Sequence, residues 1–112
     1  VQDVTKHNAQ INTPDIYGET PLHFTLRDPE AVKELLRMHA NPNVQNTRLQ
    51  TPLHKATVNR YTGTIQTLIA HKASPYIYDD QGQTPIDIAH KTGNHTIETI
   101  LCKGLTNKKT HI

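Results

Sequence analysis

Apolar residues recur at i, i+3 and i+4 spacing in three places: Val32, Leu35 and Leu36; Ile65, Leu68 and Ile69; and Ile97, Ile100 and Leu101. That spacing aligns side chains on one face of a helix, so each trio predicts a helix with a narrow buried stripe. Upstream of each lies a shorter apolar pair, Leu22 with Leu26, Leu53 with Ala56 and Ile86 with Ala89. These predict short first helices whose inner faces join the same core. Polar stretches separate the pairs, and the unit reads as turn, helix, helix, three times over.

Each unit opens on a variant of one tetrapeptide. Thr20-Pro21-Leu22-His23, Thr51-Pro52-Leu53-His54 and Thr84-Pro85-Ile86-Asp87 stand 31 and then 33 residues apart, a period that marks an internal repeat. Threonine is a good helix N-cap, and proline suits the first helical position, where no backbone donor is needed. Each copy therefore starts a helix. A turn-forming stretch precedes it every time: Asp15-Ile16-Tyr17-Gly18, Asn46-Thr47-Arg48-Leu49 and Asp79-Asp80-Gln81-Gly82. Asp28-Pro29-Glu30 starts the second helix of unit one, and Gly93-Asn94 closes one helix and caps the next in unit three. Ala40 and Ala73 mark tight exits, after which Asn41-Pro42-Asn43 and Ser74-Pro75-Tyr76 break the helix and lead into an extended finger. One helix pair cannot bury both its faces, so the units are expected to be stable only as a stack.

A Gly-x-Thr-Pro-Leu-His opening, a helix pair, an alanine after the second helix and an asparagine two or three positions on resemble the ankyrin repeat, from Asn8 through Gly104. The resemblance implies an all-α solenoid of stacked helix-turn-helix units joined by β-hairpin-like finger loops. It divides a single domain into a partial repeat over 1–14, repeats over 15–45, 46–78 and 79–104, and a tail over 105–112; Val1 to His7 become the end of the partial repeat's second helix. It also implies that His23 and His54 are structural, each imidazole bridging backbone groups of adjacent fingers. Unit one is about two residues short between its helices, which predicts a tight turn at Arg27-Asp28-Pro29. Leu49, Arg60 and Lys72 replace glycines of the pattern in unit two, and Asp87 replaces histidine in unit three. A bulky residue where positive φ is often needed predicts strain or a different turn.

At 112 residues the chain suits one modest core or a few stacked repeats. Aromatics make up 4%, with no Trp and one Phe, too few to line a large pocket. Lys and Arg number 12 against 10 Asp and Glu, an excess too small to argue for nucleic acid or an anionic membrane. The single cysteine, Cys102, excludes an internal disulfide or a multi-cysteine metal site and fits a reducing compartment. The expected location is intracellular, in cytoplasm or nucleus, or in a host cytosol. No apolar run approaches the roughly 20 residues needed to span a bilayer, and Val1 to Gln10 lack the pattern of an export signal.

Eight histidines invite a metal or catalytic reading. His23 and His54 recur once per repeat, which marks scaffold. The Gly93 turn between His90 and His95 is expected to destroy any shared helical face and with it a zinc site. His7, His39, His71 and His111 read as solvated helix ends and tail. Cys102 lacks a general base at useful spacing and reads as a partly buried small residue. Asp79 is expected to accept from its own turn backbone while Asp80 is solvated. The five glycines are scattered singly, so no phosphate-cradling loop is present. Lys103, Lys108 and Lys109 read as a solvated tail. No cofactor, metal or catalytic group is expected.

Members of the ankyrin family bind proteins with finger tips and the exposed side of each first helix. Transferred by position, those contacts are Ile16, Tyr17, Glu19 and Arg27 in unit one. Unit two contributes Thr47, Arg48, Gln50, Val58 and Asn59, and unit three Tyr78, Asp80, Gln81, Gln83 and Lys91. Ile16, Tyr17, Arg48 and Tyr78 are the expected anchors, because Tyr and Arg dominate interface energetics. The resulting expectation is a monomeric, non-enzymatic module that binds another protein and takes no small-molecule substrate. Two alternatives stand beside it: a targeting segment of a larger or host-directed protein, and a weak nucleic-acid binder acting through its basic residues.

Overall fold

Helix starts follow the tetrapeptides in a computed structural model that describes the backbone over residues 12–109 and side chains over 12–102. Thr20, Thr51 and Thr84 are extended N-caps, and the proline after each is the first helical residue of α1 (Pro21–Phe24), α3 (Pro52–Val58) and α5 (Pro85–Lys91). The second helices are α2 (Pro29–Arg37), α4 (Thr62–Ala70) and α6 (His95–Lys109). Asp28 caps α2 by accepting from the N–H groups of Glu30 and Ala31, and Asn94 Oδ1 accepts from Ile97 N–H at the start of α6. No strand occurs among the described residues. The expected partial repeat over 1–14 lies largely outside them, whereas residues 105–109 of the expected tail over 105–112 continue α6 as helix.

The shortage in unit one is met by the helix and not by the turn, contrary to expectation. α1 has 4 residues where α3 and α5 have 7 each, and residues 25–28 then link it to α2. Leu26 sits in that link yet remains buried. Four exits share another device. His39, Arg60, Lys72 and Gly93 hold φ between 62° and 74°, in the left-handed region. The next residue's N–H closes back across the turn, Ala40 to Leu35 O, Tyr61 to Ala56 O, Ala73 to Leu68 O and Asn94 to Ala89 O, each at 2.9–3.0 Å. Arg60 and Lys72 thus keep the glycine conformation, as does His39, whose left-handed backbone the residue pattern did not announce.

First helices pack in one layer, α1 on α3 on α5, and second helices in another, α2 on α4 on α6. Between the layers lies a continuous core of Leu22, Leu26, Val32, Leu36, Leu53, Ala56, Ile65, Leu68, Ala89, Ile97 and Leu101. Ile86, expected inside, is half-buried, while Ile88 of the same helix is buried. Polar bonds tie successive units. Thr64 Oγ1 donates to Leu26 O at 2.6 Å inside the core. Asn12 Oδ1 accepts from Asn41 N–H at 2.7 Å, and Asn43 Oδ1 accepts from Ser74 N–H at 2.8 Å, so each asparagine grips the exit of the following unit. No described buried side-chain polar atom lacks a partner, as a close-packed native interior requires.

Candidate functional site: finger tips and first-helix face

Each finger is locked by one side chain at its base. Asp15 Oδ1 accepts from the N–H of Tyr17 and Glu19, Asn46 Oδ1 from Arg48 and Gln50, and Asp79 Oδ1 from Gln81 and Gln83, all at 2.8–2.9 Å. This is the role expected of Asp79, and Asp80 is exposed. The tip of each finger is left-handed, at Gly18, Leu49 and Gly82. Leu49 adopts φ 60° without altering the turn, since Leu49 N–H reaches Asn46 O at 2.8 Å as Gly18 N–H reaches Asp15 O at 2.9 Å. Neighbouring fingers then bond through their backbones, Thr47 N–H to Tyr17 O at 2.9 Å and Asp80 N–H to Arg48 O at 3.0 Å. At Gly18 the approach is close enough that a Cβ would stand 3.0 Å from Asn46 Cα and Thr47 N, so glycine is required there by contact as well as by φ.

Histidine joins finger to finger in the way the family resemblance implies. Thr20 N–H donates to His23 Nδ1 at 3.1 Å, which leaves the proton on Nε2 to donate to Gln50 O at 3.1 Å. His54 repeats this with Thr51 N–H at 3.0 Å and Gln83 O at 2.9 Å. Burial holds His23 below its ordinary pKa, against the opposing pull of the Gln50 carbonyl and the Glu19 charge. Both ring nitrogens are thereby occupied in scaffold.

The transferred contact residues divide into two groups. Ile16, Tyr17, Val58 and Tyr78 are exposed, Ile16 by 85% and the two tyrosines by 63% each. Arg27, Thr47, Arg48, Asn59, Asp80, Gln81 and Lys91 are exposed as well. Glu19, Gln50 and Gln83 are not free contact positions. Glu19 pairs with Lys55 and accepts from Asn46 Nδ2 at 3.1 Å, and the same Nδ2 donates to Gln50 Oε1 at 3.1 Å. Burial pushes the Glu19 carboxyl up, but the hydrogen bonds from Lys55 and Asn46 and the Lys55 charge outweigh it and hold the pKa below its ordinary value. Gln83 is half-buried, its carbonyl taken by His54. Missed at the sequence level were Phe24, exposed by 63%, and Tyr76, exposed by 54%. Phe24 follows the tetrapeptide directly, as the last residue of α1.

Beside α1 lies an open recess of about 310 Å³ lined by His23, Phe24, Leu26, Arg27, Lys55, Asn59 and Tyr61. It brings Arg27 and Asn59, distant in sequence, to one place. The Gly93 turn leaves His90 and His95 on separate helices, α5 and α6, as expected, yet His90 Nδ1 and His95 Nδ1 both face Glu98, at 3.1 and 3.7 Å. The turn thus brings two residues that share no helical face to one carboxylate. They remain mostly exposed, and no group of three metal-ligating residues able to hold an ion is present among the described residues. Cys102 is half-buried. No described helix is long and apolar enough to cross a membrane.

Relatives fit this architecture. The chain is 35% identical over 92 residues to the human transient receptor potential cation channel subfamily A member 1, covering 80% of this chain and 8% of that protein. It is 35% identical over 91 residues to a fowlpox virus putative ankyrin repeat protein, covering 75% and 27%. With the Drosophila tyrosine-protein kinase Shark the identity is 29% over 107 residues, covering 89% and 11%. The chain thus spans about a quarter or less of the length of these relatives. A family model described as ankyrin repeats (3 copies) matches residues 25–111, and with capped helix pairs, histidine staples and finger loops in place, the chain belongs to the ankyrin-repeat family.

Proposed function

We propose that this chain is a monomeric, non-enzymatic module that holds a partner protein against its finger tips and the exposed side of its first helices. Ankyrin repeats are in general protein–protein interaction modules, and the observation that carries the reading here is the exposed set Ile16, Tyr17, Arg48 and Tyr78 on rigid fingers. A bonded backbone loses little entropy on binding, so large side chains presented from it make efficient anchors. The double variant Tyr17→Ala/Arg48→Ala is expected to weaken capture of a partner from cytosol by about tenfold or more, with the melting temperature unchanged. Equal capture, or unfolding of the variant, would refute the assignment. An intracellular setting accords with the lone Cys102.

A second reading is favoured by the small share of its relatives that this chain covers: the array serves as the targeting segment of a larger protein whose chemistry lies elsewhere. Its test is relocation of a fused reporter to the partner, lost in the same double variant.

A further inference from the structure

We infer that the recess beside α1 is a docking site for an acidic peptide segment of the partner, a carboxylate entering between Arg27 and Lys55 with an apolar neighbour against Phe24 and Tyr61. The inference rests on the reading of the chain as a protein-binding module and names the chemistry the module selects. The recess exists because α1 stops at Phe24 while α3 continues to Val58. The last turn of α3 therefore has no helical turn opposite it, and the gap is floored by buried Leu26 and His23. Its volume of about 310 Å³ lies at the lower edge of the roughly 300–1,000 Å³ usual for ligand sites. That is room for one or two side chains.

The charge of the recess decides the occupant. Arg27 is exposed and has no side-chain partner among the described residues. Lys55 gives one contact to Glu19 and keeps further donors, since an ammonium carries three. No carboxylate is among the residues lining the recess: Asp28 caps α2 by accepting from Glu30 and Ala31 N–H, and Glu19 is held by Lys55 and Asn46. His23 is neutral in this arrangement because its Nδ1 accepts a backbone N–H. One fork-shaped guanidinium and one ammonium facing the same opening suit a carboxylate. Phe24, exposed by 63%, and half-buried Tyr61 supply apolar faces at the rim.

Random twelve-residue peptides displayed on phage, selected against the whole chain and then titrated as labelled synthetic peptides, test the site. Selected sequences are expected to carry Asp or Glu beside a Leu, Phe or other apolar residue. Arg27→Glu and Phe24→Ala should each weaken them by about tenfold or more at an unchanged melting temperature, while Arg27→Lys keeps part of the affinity. Such peptides, if indifferent to Tyr17→Ala and Arg48→Ala, would uphold the recess and sink the finger-tip assignment. Failure to select any peptide would overturn the recess, as would peptides sensitive to Tyr17→Ala but not to Arg27→Glu, and both leave the finger tips standing. Tighter Arg27-dependent binding of an oligothymidine than of any acidic peptide would also overturn it, in favour of a phosphate ligand.

Discussion

His54 and Asp87 occupy the same place in successive units, and they show how one position can hold two separable jobs. Both close their own helix start, His54 Nδ1 accepting from Thr51 N–H and Asp87 Oδ2 from Thr84 N–H at 3.1 Å. Only His54 also reaches outward, its Nε2–H donating to the Gln83 carbonyl of the next finger. A carboxylate has no proton to give, so Asp87 cannot make that second bond. His54 is wholly buried, whereas Asp87 is exposed. The cap is thus intrinsic to each repeat, and the staple belongs to the boundary between two.

The largest effect should come from removing the staple. His54→Ala leaves the buried Thr51 N–H without a partner and reduces Gln83 O to the single bond from Asp79 N–H, at a cost of about 1–3 kcal/mol, read from the urea midpoint. Asp87→Ala removes a cap alone and should cost about 0.5–1 kcal/mol; an equal cost at both positions would erase the distinction.

Acid should act next, and on the first two fingers. His23 is held below the ordinary value of 6.5, so as pH falls through that value the unfolded chain takes up the proton first. Stability is lost from there downward until the folded protein also protonates, because an imidazolium cannot accept Thr20 N–H. Glu19, held below 4.5, adds stability that is present above that value and lost as pH falls through its folded pKa. Urea midpoints should therefore drop from pH 7.5 to 5 and again on further acidification, with the upper step reduced in His23→Gln. The smallest effect is expected at the tip of the second finger. Leu49→Gly relieves a left-handed leucine but frees the unfolded chain, for a net gain of at most about 1 kcal/mol.

Much of this fold is legible in the residues because repetition multiplies a weak signal. A single Thr-Pro-Leu-His would be a helix start and little else; three variants spaced 31 and 33 residues apart place the caps, the inward Leu22 and Leu53 and the breaks after Ala40 and Ala73. The local lock by Asp79 is also readable, since an Asx side chain at a turn start acts within its own loop. What escapes are effects of the third dimension. Glu19 looks like a finger contact until Lys55, 36 positions on, takes it. His90 and His95 look separated until a turn folds both toward Glu98. Phe24 carries the pattern of an ordinary helix residue, and nothing in its spacing announces that it is left exposed at the end of α1. Leu49, Arg60 and Lys72 show the converse, since hydrogen bonds on either side impose the left-handed backbone whatever the side chain.

The asparagine grips of Asn12 and Asn43 span 29 and 31 positions, much as the histidine staples span 27 and 29. Each links a unit to its immediate neighbour, so the array resembles a short zipper whose teeth engage one at a time. Opening at one boundary need not propagate to the next, so amide hydrogens are expected to exchange with solvent in groups, one helix pair at a time.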